Sequence, residues 1–431
     1  MKVLHINYSD IEGGAARGAY WMHKALKQAG LESTMLVARK RSGDPSVHSI
    51  SGFIDKSIYN LNAEFVDSLP LQLYKGVRTH SFSPAMTIPL VQNPFLNYID
   101  RLNPDIINIH WAGHGLLSPE DLRRLEKPIV WTLRDMWAFT GGCHYSGACD
   151  RYKVNCGKCP QLSSTREQDI SRQVWKRKLD SWKSLNLTIA PISHWLASCA
   201  RESSLLNKFR IEVIHNALDT QKFKPIHKKV AREVLGLPLD KKLVLFGAIS
   251  AVTDKRKGFA YVQAAAKNLA RRGLYDNTEL IVFGSSEPDK PPEMGLQTAY
   301  LGKLSDDVTL ALVYSSADVT VVPSTQEAFG KTAIESLACG TPVVSFDSTG
   351  LKDIIDHKEN GYRAACFSAD DLAEGIAWIL EHESDDIQKK LMQNSRSKVE
   401  KSFSLKVQAN RYEQLYRELL SEKSNRPSIH V

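Results

Sequence analysis

The sequence predicts an α/β protein made of two doubly wound domains, each a parallel sheet covered by helices on both faces. Two observations support this. Short apolar segments of strand length alternate with helical segments along most of the chain, the pattern of parallel sheets. The chain also has 431 residues, too many for a single core, so two domains are expected.

The two predicted domains open with matching segments. KVLHINYS (2–9) precedes a glycine pair, Gly13 and Gly14, and a helix that ends near Gly30. KLVLFGAIS (242–250) precedes the polar loop AVTDKRKG and a second helix. Further strands are predicted at 105–110, 128–133, 187–193, 211–215, 279–284, 318–323 and 342–346.

These segments set the domain limits. We expect a first domain at 1–205, a second at 206–402 and a terminal helix at 403–420. Ligands of such sheets bind beyond the carboxyl ends of the strands, and two facing sheets would place the site in the cleft between domains.

Composition and charge narrow the function classes. The chain is 42% hydrophobic and 24% charged, ordinary for a soluble enzyme, and no apolar run reaches the roughly 18 residues of a membrane span. Its start, MKVLHINYSD, lacks the pattern of a cleavable signal, so a cytoplasmic location is expected. The formal charge of +8 is scattered, without the basic and aromatic stripe of a nucleic-acid binder.

The stretch EAFGKTAIE (327–335) follows a predicted strand and opens a helix that Gly340 ends. Backbone N–H groups at Ala328 to Lys331 would therefore favour an anionic ligand, and Gly330 would let it come close. A carboxylate touching that anion would be repelled, so Glu327 and Glu335 are expected to face hydroxyl groups. The alternative is that both are ordinary solvated acids near a helix start.

Motifs in matching order along nearly the whole chain suggest a family. They are the E-x7-E of 327–335 with E-x-F-G inside it, Gly13-Gly14, VIHNALDTQKFKP (213–225), RKG (256–258), YLGKLSDD (300–307) and CGTPVVSFDSTGLKDIIDHKENGY (339–362). Together they resemble the retaining glycosyltransferases of family 4. The segment WTLRDMWAFTGGCHY looks like the bacterial exopolysaccharide, colanic-acid-type branch.

The resemblance implies the GT-B fold, two facing Rossmann-like domains, with the terminal helix packing back on the first. It implies a UDP- or GDP-sugar donor, retention of anomeric configuration and no cofactor for catalysis. A glycan or polyprenyl-linked acceptor in surface or exopolysaccharide synthesis would follow. The alternatives are a small-molecule or protein acceptor, or a non-catalytic nucleotide-sugar-binding protein.

The same resemblance assigns roles to single residues. Lys257 would contact the donor diphosphate, Glu335 the ribose hydroxyls and Glu327 those of the transferred sugar. The family often carries an arginine where this chain reads GAISA (247–251), and Arg256 is the candidate replacement. The implied catalytic residues are Glu327, His110 and Lys257, and the implied donor-binding residues are Gly14, Arg256, Lys257, Phe329, Gly330, Lys331, Thr332 and Glu335.

Three residues in the first domain are candidates for the acceptor side. His110, at a strand end, matches the family's histidine near the sugar and acceptor. His114 and Asp135 are further candidates. A histidine at a strand end is as often structural, and Asp135 could instead pair with Arg134.

Four cysteines, at 143, 149, 156 and 159, fall within the segment 141–162 with the spacing C-x5-C-x6-C-x2-C. A C-x2-C knuckle with a glycine is typical of structural zinc sites, and disulfides are the poorer choice in a reducing compartment. We predict a structural zinc ion, with His144 as a substitute ligand. The alternatives are an unligated loop or a redox-labile pair.

The segment 163–185 is predicted to be a basic amphipathic helix bearing Trp175 and Trp182. Such a helix can lie on an anionic bilayer, which would place the protein at the inner face of the cytoplasmic membrane. The alternative is a helix packed on its own domain.

Overall fold

The computed structural model of the chain describes residues 1–74, 82–88, 91–247, 254–273, 276–304, 306–382 and 385–424. The chain divides into two compact units. The first comprises Met1–Asn216 and Gln408–Val431, and the second comprises Ala217–Val407.

The first unit is built on a seven-stranded sheet of order β3-β2-β1-β4-β5-β6-β7, in which all neighbouring strands are parallel. Its strands are β1 Lys2–Ser9, β2 Glu32–Arg39, β3 Val47–Ser49, β4 Ile106–Ile109, β5 Ile129–Leu133, β6 Leu187–Pro191 and β7 Arg210–Ile211. Its helices are α1 Gly14–Gln28, α2 Phe53–Asn60, α3 Pro94–Leu102, α4 Pro119–Leu122, α5 Ile170–Trp182 and α6 His194–Glu202. The central strands β4, β5 and β6 are buried along their whole length, as expected of a sheet covered on both faces.

The second unit has a six-stranded parallel sheet of order β10-β9-β8-β11-β12-β13. Its strands are β8 Lys242–Gly247, β9 Thr278–Phe283, β10 Gln297–Tyr300, β11 Val319–Val322, β12 Val343–Phe346 and β13 Gly361–Ala364. Its helices are α7 Lys228–Leu235, α8 Phe259–Arg271, α9 Asp307–Ser316, α10 Lys331–Ala338, α11 Ala369–Glu381 and α12 Asp385–Ser402. Valine and phenylalanine side chains of these strands pack with α8 and α11 in one apolar core.

The division between the units lies after Asn216, whereas the sequence places it after residue 205. The reason is that β7 pairs with β6 and extends the first sheet. The N–H of Ile214 then donates to the Pro191 carbonyl at 3.1 Å, which keeps the chain on the first unit.

The terminal helix α13 Leu405–Ser424 reaches into the core of the first unit. The Asn108 side-chain amide donates to the Tyr416 hydroxyl at 2.5 Å. The hydroxyls of Thr132 and Tyr412 are hydrogen-bonded at 2.9 Å. These contacts reach two central strands, β4 and β5, so the helix is anchored to the sheet of the first unit.

The tryptophans of α5 do not form a membrane-binding face, contrary to the expectation from the sequence. Trp182 is 1% exposed and Val174 is fully buried. The Trp175 indole N–H donates to the Ser204 hydroxyl at 3.2 Å. The apolar side of α5 therefore packs on its own unit, which was the alternative. Among the described residues, no helix combines the length and apolar content that crossing a membrane requires.

Candidate functional site

The centre of the candidate site is an ion pair that joins the ends of two neighbouring strands. Lys257 lies in a short 3-10 helix, Lys255–Lys257, on the segment that follows β8, and Glu327 lies in the loop that follows β11. The Lys257 ammonium is 2.7 Å from Glu327 Oε2. Arg256 Nη1 lies 3.5 Å from the same oxygen. One carboxylate is thus faced by two cations.

Hydrogen bonds and close approaches fix these two loops against each other. Arg256 Nη1 donates to the Gln326 carbonyl at 2.9 Å, and the Thr325 N–H donates to the Arg256 carbonyl at 2.9 Å. Gly258 has a φ of +78°, and a Cβ there would lie 2.1 Å from the Pro323 carbonyl oxygen. Only glycine allows this approach without displacing backbone.

Charge keeps Glu327 ionised. Burial raises the pKa of its carboxyl, but the charges of Lys257 and Arg256 outweigh that effect and lower it below the usual value. Glu327 is therefore a hydrogen-bond acceptor at neutral pH and not a proton donor.

Helix α10 supplies the second glutamate. Glu335 is 4% exposed and lies on the second turn. Its Oε2 accepts from the Tyr314 hydroxyl at 2.9 Å, and its Oε1 lies 3.1 Å from the Lys331 ammonium. Burial and the Glu335 charge together raise the pKa of Tyr314 well above its ordinary value, so the phenol stays a donor. Sequence reasoning missed Tyr314, because nothing in the pattern links α9 to α10.

The residues around the start of α10 differ in how exposed their side chains are. The Phe329 ring is 2% exposed and packs edge-on against Phe403 at 5.3 Å, so its side chain belongs to the core. Gly330 has a φ of +122°, and a Cβ there would lie 2.6 Å from Leu351 Cδ2. Lys331 and Thr332 are partly exposed at the start of the helix. Any contact of Phe329 with the sugar donor would therefore have to be made by its backbone.

The family's arginine position lies largely outside the described residues, since only Gly247 of the segment 247–251 is described. Arg256 is described. It pairs with Asp254 at 3.1 Å as well as with Glu327, so its charge is held beside Lys257.

In the first unit, His110 is 2% exposed and both of its ring nitrogens are engaged. Arg134 Nε–H donates to His110 Nδ1 at 3.3 Å, which places the imidazole proton on Nε2, 2.9 Å from His5 Nδ1. Burial, followed by the Arg134 charge, holds the pKa of His110 well below its ordinary value. A catalytic role for His110 stays a prediction, and it requires one of these bonds to be exchanged.

The acceptor-side candidates have partners that the sequence did not indicate. Asp135 Oδ2 accepts from His144 Nδ1 at 2.7 Å, while Arg134 donates instead to His110 and Asn216. The proposed pairing of Asp135 with Arg134 is therefore wrong. His114 adopts a left-handed backbone with a φ of +53° and lies 3.9 Å from Asp67.

Gly14 begins α1, and Gly13 caps it with a φ of +88°. A Cβ at either glycine would meet nothing within 4 Å, so open space lies in front of this helix end. Binding of the sugar donor at Gly14 stays a prediction.

The four cysteines line one cavity together with Phe82 and Tyr152. The Gly141 N–H donates to Cys156 Sγ at 3.1 Å. No three of the four sulfur atoms lie within 4.8 Å of one another in the described chain. Four thiolates on one zinc ion lie about 3.8 Å apart, given a Zn–S distance of about 2.3 Å.

The residue types and their common cavity suit zinc, but the sulfur atoms would have to move together. Burial raises the pKa of Cys156 to about 11, so this thiol is protonated at neutral pH until a metal displaces the proton. His144 is bonded to Asp135 and is not gathered with the sulfurs. Zinc binding stays a prediction.

Two family models match the chain. The model for glycosyltransferase family 4 matches residues 12–222, and the model for glycosyl transferases group 1 matches residues 227–398. Together they run across both units.

Curated relatives match over part of their length. An uncharacterized glycosyltransferase of Methanocaldococcus jannaschii is 32% identical over 182 residues, 40% of this chain and 45% of that protein. A D-inositol 3-phosphate glycosyltransferase of Mycolicibacterium smegmatis is 27% identical over 273 residues, 60% of this chain and 58% of that protein. The matches thus span about half the length of these relatives.

Solved structures match over almost the whole chain. Sucrose-phosphate synthase of Thermosynechococcus elongatus has a TM-score of 0.67 and 20% identity, covering 98% of this chain and 99% of that one. HepE of Anabaena, in complex with UDP and glucose, has a TM-score of 0.64 and 14% identity, covering 97% and 99%. At these identities the likeness establishes the fold, which is GT-B as predicted.

GT-B glycosyltransferases of this kind need no cofactor for catalysis, in agreement with the sequence-based prediction. The exopolysaccharide branch is a finer assignment that neither family model addresses. The chain thus carries a region that matches the glycosyltransferase family 4 model, followed by a region that matches the glycosyl transferases group 1 model, on a GT-B fold.

Proposed function

We propose that the protein transfers a sugar from a nucleoside diphosphate sugar to an acceptor hydroxyl. The observation that carries this proposal is the Lys257–Glu327 pair with Arg256 at the carboxyl end of the second sheet, before the first turn of α10. Cations and a helix N-terminus suit a diphosphate, while a carboxylate suits sugar hydroxyls. HepE, of similar fold, has been solved with UDP and with UDP-glucose.

In this proposal Lys257 and the α10 N-terminus hold the diphosphate and stabilise its charge as it departs. Glu327 then accepts hydrogen bonds from hydroxyls of the transferred sugar. Glu335 takes the ribose hydroxyls by exchanging its bonds with Tyr314 and Lys331. Glycine is required at position 330 by packing, since a Cβ there would lie 2.6 Å from Leu351 Cδ2.

We propose transfer with retention of anomeric configuration. The bond from the anomeric carbon to the phosphate oxygen breaks, the acceptor oxygen bonds to that carbon on the same face, and the leaving phosphate takes the acceptor proton. No base from the protein is needed for this step, which fits a His110 engaged at both ring nitrogens.

The test is release of nucleoside diphosphate from a panel of UDP-, GDP- and ADP-sugars, with and without candidate acceptors. Proton NMR of the first product gives the anomer. We expect one donor class to be consumed and an α-linked donor to give an α-linked product. An inverted product would overturn retention, and no turnover of any donor would favour a non-catalytic nucleotide-sugar-binding protein.

For the acceptor we propose a glycan, free or polyprenyl-linked, in surface or exopolysaccharide synthesis. Several curated relatives are named D-inositol 3-phosphate glycosyltransferases, which supports a small phosphorylated polyol as the second candidate. Assays with inositol 3-phosphate and with oligosaccharide acceptors, run side by side, decide between the two.

We also propose peripheral contact with the inner face of the membrane, through an apolar stripe on residues 53–73. Phe53 is 87% exposed and Leu73 is 85% exposed, with Ile54, Leu61, Phe65 and Leu69 also exposed between them. Co-sedimentation with phosphatidylcholine vesicles is expected for the wild type and not for the Phe53→Ser, Leu73→Ser double variant. Equal sedimentation of the two proteins would contradict this contact.

A further inference from the structure

A cluster of partly exposed rings lies at the carboxyl end of the first sheet. Tyr8 comes from β1, and Trp111 and His114 follow β4, the strand beside it. The Trp111 ring centroid is 5.5 Å from that of Tyr8 and 4.8 Å from that of His114, both in edge-on contacts. The arrangement makes one aromatic platform with Trp111 at its centre.

The cysteine-containing segment adds a fourth ring to this platform. The His144 ring centroid lies 5.7 Å from that of Trp111. The Met136 N–H donates to the His144 carbonyl at 2.9 Å, and Asp135 accepts from the ring at 2.7 Å. Asp135 is itself oriented by the Trp137 N–H at 2.9 Å. His144 is therefore held in a defined position.

Two polar atoms of the platform have no hydrogen-bond partner within the described chain. His144 donates to Asp135 through Nδ1, and its Nε2 has no hydrogen-bond partner among the described residues. The Trp111 indole N–H makes no hydrogen bond among the described residues either. The Trp111 indole N–H and His144 Nε2 thus offer hydrogen-bonding groups beside the aromatic rings.

We infer that Tyr8, Trp111, His114 and the Asp135–His144 pair form a subsite for an uncharged pyranose unit of the acceptor. One face of a pyranose carries C–H groups that pack on an aromatic ring, while its hydroxyls lie at the rim. The Trp111 indole N–H and His144 Nε2 suit those hydroxyls as donor and acceptor. This inference rests on the proposed transferase function, which supplies the need for a sugar acceptor.

The charges nearby favour a neutral sugar over a phosphorylated one. Asp135 borders the platform on the His144 side, and Asp67 lies 3.9 Å from His114. A phosphate on the same platform would approach both carboxylates. On the Tyr8 side, Arg39 lies over the ring at 5.3 Å, and the charges of Arg41, Glu12 and Glu64 also act on Tyr8.

Asp135 acts here as a positioning residue. Its carboxylate fixes the His144 tautomer, so Asp135→Asn should weaken sugar binding without altering donor binding. His144→Ala should weaken binding more than Asp135→Asn does, because it removes both the ring and Nε2.

Saturation-transfer NMR on the full chain tests this subsite. The probes are the methyl glycosides of glucose, galactose and mannose, each at about 10 mM, with glucose 6-phosphate as the charged comparator. We expect saturation of the ring C–H protons of at least one glycoside, at least fivefold less in Trp111→Ala, and a weaker signal from glucose 6-phosphate. His144→Ala should lower the signal at least twofold.

The matched controls are Trp175→Ala and His48→Ala, changes in the same unit but away from the platform. Thermal shift by nucleoside diphosphates should persist in every variant, which separates failure of the subsite from failure of the proposed transferase function. If Trp111→Ala does not fold, His114→Ala and His144→Ala carry the test. Absence of saturation for all three glycosides, or equal signals in the wild type and these variants, would overturn the inference.

Discussion

The Lys257 ammonium and the Glu327 carboxylate are 2.7 Å apart, although 70 positions separate them in the chain. The cation proposed to hold the diphosphate is thus paired with the carboxylate proposed to hold the sugar. Donor binding would separate the two, giving each a new partner in the same molecule.

Glu327→Gln should therefore uncouple binding from turnover. The change frees Lys257 for a diphosphate, so affinity for the nucleoside diphosphate should stay level or rise. Turnover should fall about 100-fold or more, because a charged acceptor of sugar hydroxyls is lost. Calorimetry with the diphosphate and steady-state assays with the sugar donor measure the two effects. Unchanged turnover would remove Glu327 from the site.

Gly258→Ala should disrupt the loop that carries Lys257. A Cβ there would lie 2.1 Å from the Pro323 carbonyl oxygen, and the residue has a φ of +78°. We expect a loss of about 2–5 kcal/mol in unfolding free energy from strain and overpacking, with loss of nucleotide binding. Gly236→Ala is the control, since its φ is +65° but nothing lies within 4 Å. It should cost only about 1 kcal/mol; equal costs would show that the close approach does not matter.

Lys178 should make stability depend on pH. Burial lowers the pKa of this fully buried ammonium to about 7. Between that value and the unfolded value of about 10.4, the unfolded chain binds a proton that the folded chain does not, so stability rises with pH across this window. Denaturant titrations at pH 7 and pH 9.5 should differ by about 2–4 kcal/mol.

The same titrations on Lys178→Met should show that rise abolished, while the exposed Lys183→Met control should retain it. In the wild type the Lys178 ammonium donates to the carbonyls of Trp137 and Thr140. The variant should therefore be less stable overall as well. A rise that persists in Lys178→Met would assign the pH dependence to another group.

Zinc should accompany the protein when it is purified without chelators. Four cysteines on one cavity suit a single ion, so we expect about one zinc per chain by elemental analysis. The Cys156→Ser, Cys159→Ser double variant should lose it, with a melting temperature about 5–10 °C lower. The exposed Cys366→Ser serves as control and should change neither quantity. If the purified protein contains no zinc, the remaining interpretations of the four cysteines are an unligated loop or a redox-labile pair.

The sequence predicted strands such as β4, β5 and β12 well, because each is a short, fully buried segment in which apolar residues dominate. It missed β2, which opens with the polar residues Glu32, Ser33 and Thr34, and the short strands β3, β10 and β13. Burial of these strands is decided by neighbours that lie far away in the chain, so local pattern alone does not reveal them.

The candidate site divides in the same way. The glycine, lysine and glutamates were predicted, because they occur in motifs of fixed spacing. The contact of Glu335 with Tyr314 and that of Asp135 with His144 were not predicted, because they depend on how helices and loops pack. Trp111 gave no signal in the sequence, since a tryptophan near a strand end is usually a core residue.

The most direct test of a donor site on the second unit is calorimetric titration of UDP, GDP and ADP into the wild type, Lys257→Ala and Lys267→Ala. Lys267 pairs with Glu293 at 3.1 Å in the same unit and serves as the matched control. We predict that at least one diphosphate binds the wild type and Lys267→Ala equally, and binds Lys257→Ala about 10- to 100-fold more weakly, as loss of a charged hydrogen bond requires. Equal binding to all three proteins, or no binding of any diphosphate, would contradict the account.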